Sequence, residues 1–160
     1  MKAHRSLQYL FCLFVAFTQT HALMAEEAVI RLEIISVPKI TAMHLLDDPR
    51  MVSDPAAMLA GIEAMKKRRE AEVVATPSLR GTLPFRTKAD GKVFVEVDVG
   101  GTLDKLVYLN IAVVVGKPKE AALLRTAVDV KAGTPKFLGT LEPLDPAERE
   151  RTWLVFLHVQ

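Results

Sequence analysis

The chain has 160 residues, 50% of them hydrophobic and 25% charged, with 21 Lys plus Arg against 19 Asp plus Glu. Two of the basic residues, Lys2 and Arg5, belong to a leader read below as removable, so the remainder is formally neutral at 19 against 19, and no nucleic-acid partner is expected from its charge. The single cysteine, Cys12, lies in the same leader, and its loss excludes disulfides and thiolate metal sites from the rest of the chain.

Lys2 and Arg5 precede an apolar run from Tyr9 through Phe17, followed by small residues and an acidic start at Glu26 and Glu27. Basic end, short apolar core and small residues at the cut are the layout of a secretory signal peptide. Cleavage after Ala25 sets Leu23 third from the cut, and cleavage after Ala22 sets Thr20 there. Both remain open. An uninterrupted apolar run of about nine residues is shorter than the roughly 20 that span hydrocarbon, so no transmembrane helix is expected in the mature chain. Leu10 and Phe11 before Cys12 are too large for a lipoprotein cut. Residues 1–25 are therefore expected to be signal peptide and 26–160 a single domain, long enough to bury about two thirds of its unfolded surface.

Val29 to Val37 sets Ile30, Leu32 and Ile34 on one face and Arg31 and Glu33 on the other, the alternation of a strand, which Pro38 ends. Between Lys39 and Asp48 a short helical turn is expected from Ile40, Met43 and Leu46, stopped by Pro49. The main helix, about 55–69, begins where Asp54 caps free amides and Pro55 occupies the first turn. Met58, Leu59, Ile62 and Met65 give it one apolar stripe, suited to lying on a sheet. Lys66 to Arg69 form a basic run at its end, read as cations complementing the helix C-terminus before any phosphate or lipid-headgroup patch.

Everything after Ala71 reads as strand and turn. Lys92 to Val99 sets Val93, Val95, Val97 and Val99 against Lys92, Glu96 and Asp98, following an Asp90-Gly91 turn. Gly100 and Gly101 are expected to supply the next reversal. Leu106 to Val115 is apolar almost throughout, which predicts a central strand covered on both faces or meeting another subunit. Leu124 to Val130 alternates with Arg125 and Asp129 outward, and Arg151 to Val159 sets Trp153, Val155, Leu157 and Val159 against Thr152, Phe156 and His158. Strand, helix, then antiparallel strands defines an α+β fold, mostly antiparallel sheet with one main amphipathic helix packed on it.

Chemistry is sparse in this pattern. No Gly-x-Ser-x-Gly elbow and no glycine-rich phosphate loop joins a strand to a helix; Gly100-Gly101-Thr102 is too short for one. Of the histidines beyond the leader, His158 reads as structural. His44 with Asp47 and Asp48 is the one cluster readable as a metal or acid/base site, because residues three and four apart share a helix face, although acids beside Pro49 read first as a helix end. No catalytic, cofactor-binding or metal site is assigned and no enzyme activity or cofactor is expected.

Three stretches resemble the secretin-type C-terminal domain, the β-rich module of outer-membrane secretion pores and of shorter exported relatives. They are Val73-Val74-Ala75-Thr76-Pro77-Ser78-Leu79 after the main helix, Thr126 to Leu141 with its Gly139-Thr140-Leu141 ending, and Arg151-Thr152-Trp153-Leu154-Val155-Phe156-Leu157 as closing strand. Thr140 stands where that family has a second glycine, and the segment after Pro77 is too short for the inner gate hairpins of a pore. The resemblance implies a fold and a tendency to assemble through sheet edges, not a channel, and carries over no catalytic residue. The expectation is an exported, non-enzymatic module of a bacterial cell envelope, in the periplasm or at the outer-membrane periphery, whose partners are other envelope proteins or copies of itself; the alternative is a periplasmic small-ligand or peptide-binding domain.

Overall fold

The computed structural model describes residues 26–104, 106–116 and 122–160; the expected signal peptide lies outside them. Its first strand, β1 (Glu27–Pro38), is followed by α1 (Lys39–Asp47), α2 (Pro49–Ser53) and α3 (Pro55–Lys67). The strands β2 (Glu72–Ala75), β3 (Ser78–Thr82), β4 (Phe85–Ala89), β5 (Phe94–Leu103), β6 (Leu106–Val115), β7 (Ala122–Lys131), β8 (Lys136–Leu141) and β9 (Arg151–Val159) follow, with a 3-10 turn at Pro146–Glu148 before the last. The architecture is α+β and mostly antiparallel.

The strands divide into two sheets. In the first, β1 lies between β9 and the pair β2 and β3, and β8 lies beyond β9. β2 and β3 share one edge of β1 end to end, since Pro77 between them lacks a donor but its carbonyl accepts from Leu32 N at 2.9 Å. The second sheet is a plain meander in the order β4, β5, β6, β7.

Alternation decides how these sheets pack. Ile30, Leu32, Ile34, Trp153, Val155 and Leu157 from the first sheet meet Val95, Val97, Val99, Leu109, Ile111 and Val113 from the second in one continuous core. On the opposite face of the first sheet, Ile35, Val37, Leu154 and Phe156 pack against Ala42, Leu45, Met58 and Ile62 of α1 and α3. The layers therefore run helices, first sheet, second sheet. Each fully buried aliphatic side chain contributes about 1.5–3 kcal/mol relative to exposure, and β1 and β9 carry such residues on both faces, Ile30, Leu32, Ile34, Val155 and Leu157 on one and Ile35, Val37 and Leu154 on the other.

α3 starts as expected, the Asp54 carboxylate accepting from Ala57 N at 3.0 Å, and buries Met58 and Ile62 completely. It ends at Lys67, two residues short of the expected end, because Arg69 turns left-handed at φ 63 and the Arg69 and Glu70 amides bond back to the Lys66 and Met65 carbonyls.

Three expectations are corrected. α1 packs inward through Ala42 and Leu45, leaving Ile40 and Met43 exposed at 66% and 57%; the stripe through Ile40, Met43 and Leu46 is not the packing face. Pro49 does stop α1, but it also opens α2, whose first turn Asp48 caps. Gly100 and Gly101 are not a reversal: β5 continues to Leu103, and the glycines make a bulge between Val99 and Gly101, where Gly101 has a φ of 142.

For β6, the first of its two expected environments, cover on both faces within the chain, is not found. The strand is central, paired along its length with β5 and β7, yet only its inner face is covered by another layer. Its outer face carries Tyr108, 42% exposed, and the exposed Asn110. The strand covered on both faces is β9, whose residues from Thr152 to Leu157 are all buried.

Candidate functional site: the open face of the second sheet

Where β4 to β7 turn outward, pairing sets side chains in rows across the strands. Arg86, Asp98, Asn110 and Ala127 are successive partners in one row, and Lys88, Glu96, Ala112 and Arg125 in the next. The middle of these rows is short: Ala112 and Ala127 cannot fill the space between the longer residues around them. A hollow of about 540 Å³ results, bordered by Arg86, Glu96, Asp98 and Arg125 over Asn110 and Ala112. A second hollow of about 350 Å³ continues from Asn110 and Ala127 past Tyr108 to Gly100 and Asp129. Gly100 helps to open it because it has no side chain to occupy the row beside Tyr108.

The electrostatics are mixed. Arg86 Nε donates to Glu96 Oε1 at 3.0 Å across the β4–β5 pair, and this hydrogen bond together with the carboxylate's charge holds the guanidinium above the ordinary arginine value. Asp98 and Arg125 have no ion-pair partner among the described residues. They flank the larger hollow from β5 and β7 with opposite charges, separated by the Asn110 amide, which both donates and accepts. Such a surface suits recognition of an extended polar chain or a group carrying both charges; no cysteine, serine or histidine lines it.

A separate polar group lies under the end of α3. Lys66 Nζ donates to Glu33 Oε1 at 2.7 Å and to Glu63 Oε1 at 2.6 Å, joining α3 to β1. Burial pushes the Lys66 ammonium toward its neutral form, but the hydrogen bonds to Glu33 and Glu63 outweigh this and raise it above the ordinary lysine value. His158, opposite Arg31 on β9, brings Nε2 to 3.8 Å from Glu33 Oε2, beyond hydrogen-bond reach. Arg68 pairs with Glu70 at 2.9 Å. Arg68 stays at the surface of the helix end, whereas Lys66 is drawn into an ion pair with β1 that the reading of the run as solvated cations did not include.

His44 and Asp47 are exposed on α1, and Asp48 turns away from them to accept from the backbone N and Nε of Arg50 at 3.0 and 3.1 Å. That contact lowers the Asp48 carboxyl below its ordinary value. No group of three His, Cys, Asp or Glu side chains converges among the described residues. The open face was not singled out in the sequence, although its signal was there: small residues, Gly100, Ala112 and Ala127, at outward positions of strands otherwise bearing charge.

Fold and surface together define a two-sheet α+β domain with helices on one side and an uncovered, charged sheet face on the other. Comparison with protein-family models, with curated proteins and with solved structures finds no match for this chain. Among the described residues no helix is long and apolar enough to cross a membrane.

Proposed function

We propose that the chain is an exported, non-catalytic module of a bacterial cell envelope, a free-standing relative of the secretin-type domain, which acts by binding envelope proteins or further copies of itself. One observation carries the binding reading: the helices pack on the outer face of the first sheet through β1 and β9, whereas the second presents an open face with charged rows around a hollow of small residues. An open antiparallel sheet ending in a strand without a further hydrogen-bonded neighbour among the described residues is a surface that other chains can extend or cover. Export is supported by the basic and then apolar leader, and the family reading by the three stretches quoted above, which fall on β2 and β3, on β7 with β8, and on β9.

The test is site-specific photocrosslinking in a bacterial host producing the full chain, with the photoreactive residue at Tyr108 or Asn110 and, as control, at His44 on the helical side. Adducts of one discrete mass from Tyr108 and Asn110 but not from His44 are expected. Equal labelling at all three positions, or none, overturns the binding surface; a chain retained in the cytoplasm with residues 1–25 attached overturns the export.

A second reading, a periplasmic domain binding a small ligand or peptide, is favoured by Asp98 and Arg125 facing each other across the larger hollow. It predicts that short peptides with free termini shift the amide resonances of Asn110 and Ala127, and that Asp98→Asn with Arg125→Gln abolishes the shift.

A further inference from the structure

The edge of the second sheet is self-complementary. β7 pairs with β6 over ten residues without a register shift and, among the described residues, has no hydrogen-bonded strand on its other side, where β8 comes close without pairing. Along its open face it reads Leu123, Arg125, Ala127, Asp129, Lys131, all exposed; along its inner face Leu124 and Val128 are only partly covered. Leu124 lies against Gly139 of β8, which ends the first sheet on the same side of the molecule, so the inner face has partial cover and no more.

We infer that β7 pairs antiparallel with β7 of a second copy about a two-fold axis through Ala127, joining the two four-stranded sheets into one of eight strands. This rests on the assembly reading above and names its partner. Directly opposed residues in an antiparallel pair point their amides the same way, so the axis must pass through a residue rather than between two. Five such centres, Arg125 to Asp129, keep most of the strand overlapped.

Charge selects among them. Centring on Arg125 or Asp129 sets that residue against itself, and centring on Val128 sets Arg125 against Lys131. Thr126 as centre leaves every charge opposite an uncharged residue or beyond the strand. Ala127 alone sets Arg125 opposite Asp129 of the second copy and Asp129 opposite its Arg125. The same register opposes Leu124 to Val130 and Thr126 to Val128 on the inner face, covering the partly exposed aliphatic groups, and uses all nine residues from Leu123 to Lys131. Opposite charges directly across a strand pair favour it, and like charges oppose it.

The pairing also completes the open face. Ala127 floors both hollows, and at the axis it meets its own copy. The row Arg86, Asp98, Asn110, Ala127 then continues through the second copy in reverse order. Each monomer's hollow becomes half of one longer trough, closed at the middle by two Arg–Asp pairs.

The experiment uses the full chain carrying Cys12→Ser, so that an introduced thiol is the only one. Across an antiparallel pair the Cα atoms of a self-opposed residue lie about 4.5–5.5 Å apart, within disulfide range, whereas position 129 is displaced from its own copy by about 13 Å along the strand. Ala127→Cys is expected to crosslink to a dimer under mild oxidation, and Asp129→Cys is not. Arg125→Glu and Asp129→Arg are each expected to weaken association measured by sedimentation at least about tenfold, and the double exchange Arg125→Asp with Asp129→Arg to restore it to within about threefold. Equal crosslinking at 127 and 129, or a double exchange no better than the single changes, overturns the register. An oligomer that persists in every charge variant without the Ala127 crosslink overturns the β7 interface while leaving assembly in place. A monomer that also yields no adduct from Tyr108 or Asn110 overturns both.

Discussion

The two sheets begin from nearly the same material and end in different environments. β9 and β6 are both central, both antiparallel to neighbours on each side, and both rich in aliphatic residues. β9 places Leu154 and Phe156 on its second face, large enough to need the helices; β6 places Tyr108, Asn110 and Ala112 there, and remains uncovered. The first sheet thus holds the helix-covered core of the domain, and the second carries its open face. A strand's average hydrophobicity does not separate these roles, but the size and polarity of alternate residues do.

The strongest way to break this comparison is to empty one position on each sheet. Phe156 is fully buried and its ring stands 5.4 Å from that of Phe137. Phe156→Ala should therefore cost about 3–5 kcal/mol, while Tyr108→Ala on the open face should stay within about 0.5–1 kcal/mol. Urea unfolding of both variants measures the difference. Equal losses would mean that the outer face of β6 is as firmly packed as the helix side of β9.

Much of this division was legible in the residues. β1, β5, β7 and β9 announced themselves by alternation, and α3 by the Asp54-Pro55 start and the Met58 to Met65 stripe. What failed was residue-specific. Ala42 did not count as an anchor beside larger Ile40 and Met43, yet a small side chain lets α1 approach the sheet closely. Gly100 and Gly101 carry the usual mark of a turn, but a bulge needs the same backbone freedom, and the chain reverses only after Leu103, with Asp104 at a φ of 51. Of the two readings of β6, cover on both faces within the chain failed because Ala112 and Val114 were weighed with the core valines. Whether a sheet face is covered depends on where the helices settle, a fact of tertiary packing that no single segment contains. The candidate site was less legible than the fold, because a hollow exists only when Ala112 and Ala127, more than a dozen residues apart, fall into neighbouring rows.

Polar fastening sharpens the contrast at the covered side. Lys66 joins Glu63 of α3 to Glu33 of β1, with Lys66 and Glu33 side chains 18% and 16% exposed. Lys66→Ala strands the Glu33 carboxylate and should cost about 1–3 kcal/mol. The pH dependence has a definite sign. The pKa of Lys66 is raised on folding, so its contribution is fully present below the unfolded value near 10.5 and is lost as pH rises through the higher folded value. Unfolding midpoints of the parent and Lys66→Ala chains should differ by a steady amount from neutral pH to near 10.5 and narrow as pH rises through the higher folded value; a gap that persists well above that folded value would show that the ammonium charge is not the source.

The smallest effect tests whether the helical cover can be tightened without touching the open sheet. Arg69 holds the left-handed position that closes α3, with Glu70 N bonding to Met65 O at 3.0 Å. A side chain at that position is strained, and glycine is the residue that ordinarily occupies it. Its own side chain makes no ion pair among the described residues, in contrast to Lys66 and Arg68 on the same run. Arg69→Gly should therefore stabilise the domain by about 0.5–1 kcal/mol and leave β7 association unchanged, measured by urea unfolding and sedimentation on one preparation. A stabilised chain with unaltered association would separate the stability of the helix-covered sheet from pairing at the β7 edge. A loss of association would show that the end of α3, on the far side of the first sheet, is coupled to the second.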